Sequence, residues 1–142
     1  LANIVIIFTK DNRKDKIMIK TSSSELEAAN KIVPKIDVAT GIDKHKEGKS
    51  VFIDVRDGLD INKSGTIAGA LRIPRGFIEF AADPSTPHHN ASLQKDADIV
   101  LVCGAGGMAA LTGRTLLEMG YTSVSNVGGF SGWKDGGGPV DE

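Results

Sequence analysis

The chain has 142 residues, 40% of them apolar and 25% charged, the size and balance of one globular domain that can bury a core without staples. Its 17 basic and 18 acidic residues leave a net charge of −1, and the lysines are scattered, which excludes a basic footprint for nucleic acid or an anionic membrane. A single cysteine excludes an internal disulfide, and no apolar run approaches the ~18–20 residues of a membrane span.

A cytoplasmic location is therefore expected, though a periplasmic protein without disulfides would read the same way. The run Ala2-Asn3-Ile4-Val5-Ile6-Ile7-Phe8 is short, with no basic residue before it, so it is not read as a secretory signal. The chain starts at Leu1 rather than Met. Met18 is read as the start, residues 1–17 as foreign to the fold, and the whole of 1–33 as an N-terminal extension to a domain over 34–142.

Ser24 is placed to cap a short helix through Lys31, with Glu25 and Glu27 in the first turn, where the helix dipole favours negative charge. Pro34 ends it. Lys35–Ala39 reads as a strand, and Thr40 as the cap of a helix through Glu47, stopped by Gly48. Val51-Phe52-Ile53-Asp54-Val55 is a buried strand. Residues 56–75 are loop-rich, with a short strand near Ala70–Ile73, followed by a short helix over Phe77–Ala82 and a loop holding Pro84 and Pro87. Asp98-Ile99-Val100-Leu101-Val102 is a second buried strand. Ala109, Gly113, Leu116 and Leu117 then follow helical spacing, and Gly120 sits where a left-handed cap belongs. Thr122–Val127 alternates as a strand. Strand, helix and strand in about thirty residues form a βαβ unit, and the expected fold is an α/β domain around a mainly parallel sheet.

In such sheets ligands sit beyond the carboxyl ends of the strands. The loop at that end is Cys103-Gly104-Ala105-Gly106-Gly107-Met108. A cysteine between a buried strand and a glycine-rich turn into a helix faces backbone N–H groups that stabilise a thiolate, the reactive form. Gly104, Gly106 and Gly107 are expected to supply positive φ and leave the sulfur uncovered. A free cysteine at a strand end is also, commonly, a small buried hydrophobe. The same residues satisfy G-x-G-x-x-A, the dinucleotide fingerprint. That fingerprint calls for an acid at the end of the next strand, and here that strand ends Asn126-Val127-Gly128.

Four blocks in order resemble the rhodanese family, from about Lys35 to Glu142. Asp54-Val55-Arg56 is similar to its D-x-R. Gly65-Thr66-Ile67-Ala68-Gly69-Ala70 with Ile73-Pro74 resembles G-H-I-x-G-A…I-P, and Cys103 opens a six-residue loop. Gly128-Gly129-Phe130-Ser131-Gly132-Trp133 with Gly138-Pro139-Val140 resembles G-G-x-x-x-W…G-x-P-V. The stretch Ile73–Phe80 with Ala82-Asp83-Pro84 further resembles the single-domain polysulfide sulfurtransferase branch.

The resemblance implies a three-layer fold with about five strands and a sulfurtransferase working through a persulfide on Cys103. The amides of Gly104, Ala105, Gly106, Gly107 and Met108 would cradle the sulfur. It implies no cofactor beyond that covalent intermediate. Its partners would be a small sulfur donor, a thiol or cyanide acceptor and, in cells, a sulfur-carrier protein. Met108 stands where thiosulfate-using members carry Arg or Lys, which points to polysulfide over an oxyanionic donor. Thr66 replaces the usual His and is read as structural, as are Asp54 and Arg56, which would fix the loops around the site. Arg75 is weighed as a replacement cation and, preferentially, as the partner of Glu79 four residues on.

Two further readings stand beside this one. A cysteine phosphatase needs C-x5-R, and the position at that spacing is Ala109. A rhodanese module that binds a partner or relays sulfur without efficient turnover would also retain this architecture. His88-His89 is too sparse for a metal site. Trp133 with Phe130 is expected to pack the last helix, and Lys44, Lys46 and Lys49 are read as a solvated face.

Overall fold

A computed structural model describes residues 19–142; Met18 and the segment 1–17 lie outside the described residues. Helices α1 (Ser22–Ile32) and α2 (Val38–Glu47) lead into β1 (Ser50–Asp54), α3 (Gly58–Ser64), β2 (Thr66–Ile67) and β3 (Leu71–Arg72). A 3-10 turn at Arg75–Phe77 runs into α4 (Ile78–Ala81), and then follow β4 (Asp98–Cys103), α5 (Gly107–Glu118), β5 (Ser123–Gly129), α6 (Phe130–Asp135) and β6 (Val140–Asp141). Four parallel strands in the order β3-β1-β4-β5 form the main sheet, and β2 pairs antiparallel with β6 in a small second sheet.

The side-chain period of two divides β1 and β4 between two cores. Ile53, Val55, Ile99, Leu101 and Cys103 face one core with Ile78, Ala109 and Leu116. Phe52, Val100 and Val102 face the other with Val127, Phe130 and Trp133. Helices thus cover both faces, as a parallel sheet requires. Each fully buried Ile or Leu contributes about 1.5–3 kcal/mol, so the strand carrying Cys103 is among the firmest parts of the molecule. Trp133 is buried, and its indole N–H donates to the Pro139 carbonyl at 2.9 Å.

The expected fifth strand is reduced to one bridge, Lys35 with Asn126. Asp37, not Thr40, caps the next helix by accepting the Thr40 N–H at 2.8 Å, and the strand ends where the helix begins. A carboxylate one turn earlier outcompetes a hydroxyl because it meets the same orphan donors with a full charge. Likewise Thr21, not Ser24, caps α1, with Ser24 returning the bond in a capping box. Helix α1 packs on α5, where the Arg114 guanidinium meets Glu25 at 2.7 Å and holds that carboxyl below its ordinary range. Residues 58–64, expected as loop, form α3 because Asp57 accepts the Leu59 N–H at 2.8 Å.

Two polar locks join elements distant in sequence. Arg56 grips the fully buried Asp54 through Nε and Nη2 at 2.7–3.1 Å. Its other donors reach the Gly65 carbonyl at 2.8 Å and Ser64 Oγ at 2.9 Å. Thr66 Oγ1 completes the cage by donating to Asp54 at 2.7 Å, and the guanidinium lies 4.8 Å from the centre of the Phe130 ring. At the opposite end of the sheet, Asp98 accepts from Ser50 and Ser123 at 2.6 Å each and from Lys44 at 2.9 Å. Lys44 is therefore a partner of Asp98 and not part of a solvated face. Its aliphatic stem lets the ammonium reach over from α2.

Removing one member of the first lock leaves a buried charge without its partner. Arg56→Met is expected to cost about 3–5 kcal/mol, read as a lower urea midpoint at unchanged m-value. For the second lock, burial pushes the Asp98 carboxyl up, but the hydrogen bonds from Ser123, Ser50 and Lys44 outweigh it and hold the group below its ordinary value. Its contribution is then present above the unfolded carboxylate range and lost as pH falls through the lowered folded value. Asp98→Asn is expected to reduce stability at pH 7 and to flatten the acid limb of the stability profile. Urea midpoints measured from pH 7 down to pH 3 check both.

Candidate functional site

Cys103 is the last residue of β4, which is hydrogen-bonded on both sides, to β1 and to β5. It shares the parity of Ile99 and Leu101, so its side chain points to the face covered by α5. The chain then turns through Gly104 and Ala105 into Gly106, whose φ of +97° is closed to most side chains. Gly104 and Gly107 have no such φ, so only one of the three expected left-handed positions is present. Gly107 begins the helix, with Leu26 of α1 beside it.

Two backbone donors converge on the sulfur. The Gly106 N–H donates to Sγ at 3.0 Å and the Ala109 N–H at 3.3 Å. One comes from the turn and the other from the first turn of α5, where N–H groups lack partners within the helix. Among the described residues these are the hydrogen bonds Sγ accepts. Gly106 was legible as part of the cradle. Ala109 was read as a packing position and as the residue standing where a phosphatase would need arginine, and its backbone role leaves no mark in side-chain identity.

Gly104 and Ala105 are exposed at the turn, and Met108 is 39% exposed at the start of α5. The Met108 carbonyl accepts from Thr112 Oγ1 at 2.8 Å. β5 presses from the other side. A Cβ on Gly129 would collide with the Gly104 carbonyl oxygen, so glycine at 129 is a condition for the turn to exist.

Asp54 and Arg56 belong to the lock described above; their connection to the site is the strand neighbour Val55, whose N–H donates to the Val102 carbonyl at 3.0 Å. Arg75 is tied to the same strand, its N–H on the Val55 carbonyl at 3.0 Å, while its guanidinium lies 3.8 Å from Glu79. The local ion pair is thus the arrangement present. Asn126, buried under the loop, was read only as the place where an acid was missing. The amide donates from Nδ2 to the Gly106 carbonyl at 2.9 Å and accepts the Gly128 N–H at 2.8 Å. An open cleft of about 430 Å³ borders the loop at Ala105, Gly106 and Gly107, between α1 and the end of β5, with Asn30 and Lys35 on its walls. His88 meets Phe77 and Phe80 edge to face, with ring centres 5.5 and 6.5 Å away. Among the described residues no helix is long and apolar enough to cross a membrane.

Comparison with known proteins places this geometry. The chain is similar to a protein of unknown function from Rhodopseudomonas palustris CGA009, described as a possible tyrosine phosphatase, with a TM-score of 0.82 and 32% identity, covering 89% of this chain and 98% of that one. The polysulfide-sulfur transferase homodimer of Wolinella succinogenes shares the fold at a TM-score of 0.68 and 24% identity, covering 84% and 85% of the two chains. In sequence, 91 residues are 32% identical to the mitochondrial protein HIGH ARSENIC CONTENT 1 of Arabidopsis thaliana, 61% of this chain but only 53% of that protein's length. The profile of the rhodanese-like domain matches residues 38–136, a span from α2 through α6 that takes in the Cys103 loop, and the chain belongs to the rhodanese-like family.

Proposed function

We propose that this chain is a sulfurtransferase that carries sulfane sulfur as a persulfide on Cys103. The observation that carries the reading is the pair of amide donors, Gly106 and Ala109, on a sulfur held rigidly at the end of a buried strand. Family membership supports it, and so does the analogy with the Wolinella protein, whose name is that of a polysulfide-sulfur transferase.

In the first step the Cys103 thiolate attacks the outer sulfur of a polysulfide or thiosulfate. A new S–S bond forms, the donor's own S–S bond breaks, and its electron pair leaves with the shortened polysulfide or with sulfite. In the second step a thiolate or cyanide attacks the terminal sulfur, and the pair in the Cys103 S–S bond returns to Cys103. A sulfur-carrier protein with a thiol would serve as acceptor in the same way. Negative charge rests on sulfur at the start and end of each step. Backbone dipoles fixed by a strand end and a helix start stabilise it without reorganising. No cofactor enters.

Met108 sets the donor preference. Its exposed thioether gives a soft apolar wall, which accommodates a polysulfide chain better than a sulfonate-like oxyanion. The same residue favours a second reading, a module that relays sulfur or binds a partner without efficient donor turnover. A phosphatase is disfavoured because the position that would clamp phosphate is Ala109, whose buried methyl supplies no cation.

Intact mass after incubation with polysulfide separates a sulfur carrier from a module that only binds a partner. The wild-type chain is expected to gain one sulfur atom, removable by cyanide, and Cys103→Ser to gain none; a wild-type chain that stays unmodified favours the binding module. Met108→Arg adds a charge-assisted hydrogen bond worth about 1.5–3 kcal/mol to an oxyanionic donor. Thiosulfate kcat/KM is expected to rise roughly ten- to a hundredfold with little change for polysulfide, as measured by steady-state cyanide-dependent sulfur transfer.

A further inference from the structure

The cradle's shorter hydrogen bond comes from Gly106, the residue that caps α5, whose carbonyl accepts the Ala110 N–H at 3.0 Å. That helical bond leaves the approach to the cap through Gly104 and Ala105 untied, and a second hold on the same carbonyl comes from β5. Between Leu101 and Val102 the register of β5 against β4 jumps: Leu101 faces Asn126, but Val102 faces Gly128. Val127 is the extra residue of a bulge, and bulges beside sites re-aim a side chain. Asn126 is the side chain so aimed. Its amide uses both ends within the described structure, Nδ2 donating to the Gly106 carbonyl at 2.9 Å and Oδ1 accepting the Gly128 N–H at 2.8 Å.

Its backbone is fixed as well. The Asn126 N–H donates to the Pro34 carbonyl, and the Ile36 N–H to the Asn126 carbonyl, both at 2.9 Å. The rudimentary fifth strand at Lys35 therefore pins Asn126, and Asn126 pins Gly106.

We propose that Asn126 is a positioning residue for the nucleophile, acting through Gly106: by holding the Gly106 carbonyl down on β5 it keeps the N–H of the same residue on Sγ. Without the amide the Gly106 carbonyl keeps only the Ala110 N–H of α5, the turn loses its tie to β5 and tilts, and the thiolate loses the nearer of its two partners. This rests on Cys103 being the sulfur-carrying nucleophile, yet it concerns thiolate stabilisation, which is measurable without any sulfur donor.

The experiment is the pH profile of Cys103 alkylation by iodoacetamide. In Asn126→Leu the profile is expected to move to higher pH by about one unit, equivalent to a tenfold loss of thiolate below the midpoint, with the plateau rate at high pH retained. Ser125→Ala, next along β5 and without a hydrogen bond in this structure, is expected to leave the profile in place and so separates damage to the strand from loss of the clamp. If Asn126→Leu does not fold, Asn126→Ser serves, since its shorter side chain cannot span to the Gly106 carbonyl. A folded variant with an unshifted profile overturns the proposal. A wild-type chain that alkylates normally but takes up no sulfur overturns the sulfurtransferase reading and leaves the role of Asn126 standing.

Discussion

Everything at this site depends on how β4 gives way to α5. The strand must end with its last side chain packed, the helix must start within four residues, and the N–H groups exposed between them must find an acceptor. The sulfur of Cys103 is that acceptor, taking one donor from the turn and one from the helix. A buried N–H left unpaired costs on the order of 1–3 kcal/mol, so the two bonds proposed to stabilise a thiolate also complete the fold.

The remaining elements keep this junction from moving. β4 lies in the middle of the sheet with a partner on each side, and its side chains anchor both cores. Gly129 lets β5 come against the Gly104 carbonyl, and the bulge at Val127 turns Asn126 under Gly106. On the β1 side, the Asp54–Arg56 cage ties the strand to Gly65, Thr66 and Phe130, so the loops there are held by one buried charge pair whose donors are nearly all used. Among the described residues the D-x-R side chains bond to these loops and not to the sulfur, so the pattern serves the architecture around the site.

Much of this was legible in the sequence where periodicity or a charged pattern carries it. The buried runs at 51–55 and 98–102 announce central strands, and Cys103 followed by glycines announces a turn into a helix. Thr66 and Arg75 also stand where local chemistry put them. What was hidden is of two kinds. Competition between neighbouring caps is one: Asp37 displaces Thr40 and shortens a strand to a single bridge. Long-range partnership is the other. Neither the Ala109 amide on sulfur nor the Asn126 amide under Gly106 changes any local pattern, because each depends on a neighbour in another element. Lys44 was misjudged for the same reason, its partner Asp98 lying fifty-four positions away.

The loop also discriminates between chemistries. A tetrahedral phosphate spreads charge over several oxygens and calls for a ring of donors closed by a planar cation, which is why arginine recurs in such sites. This chain places a buried methyl, Ala109, at that position, and only its backbone serves the site. Sulfur is large and polarizable, and its charge in a thiolate or persulfide is diffuse, so two amide dipoles and an apolar thioether suit it without a cation. On the proposed reading, a cradle of this composition suits a polysulfide, whose charge lies on diffuse sulfur, over an oxyanion for a reason already present in the backbone: its donors are few and aimed at one atom.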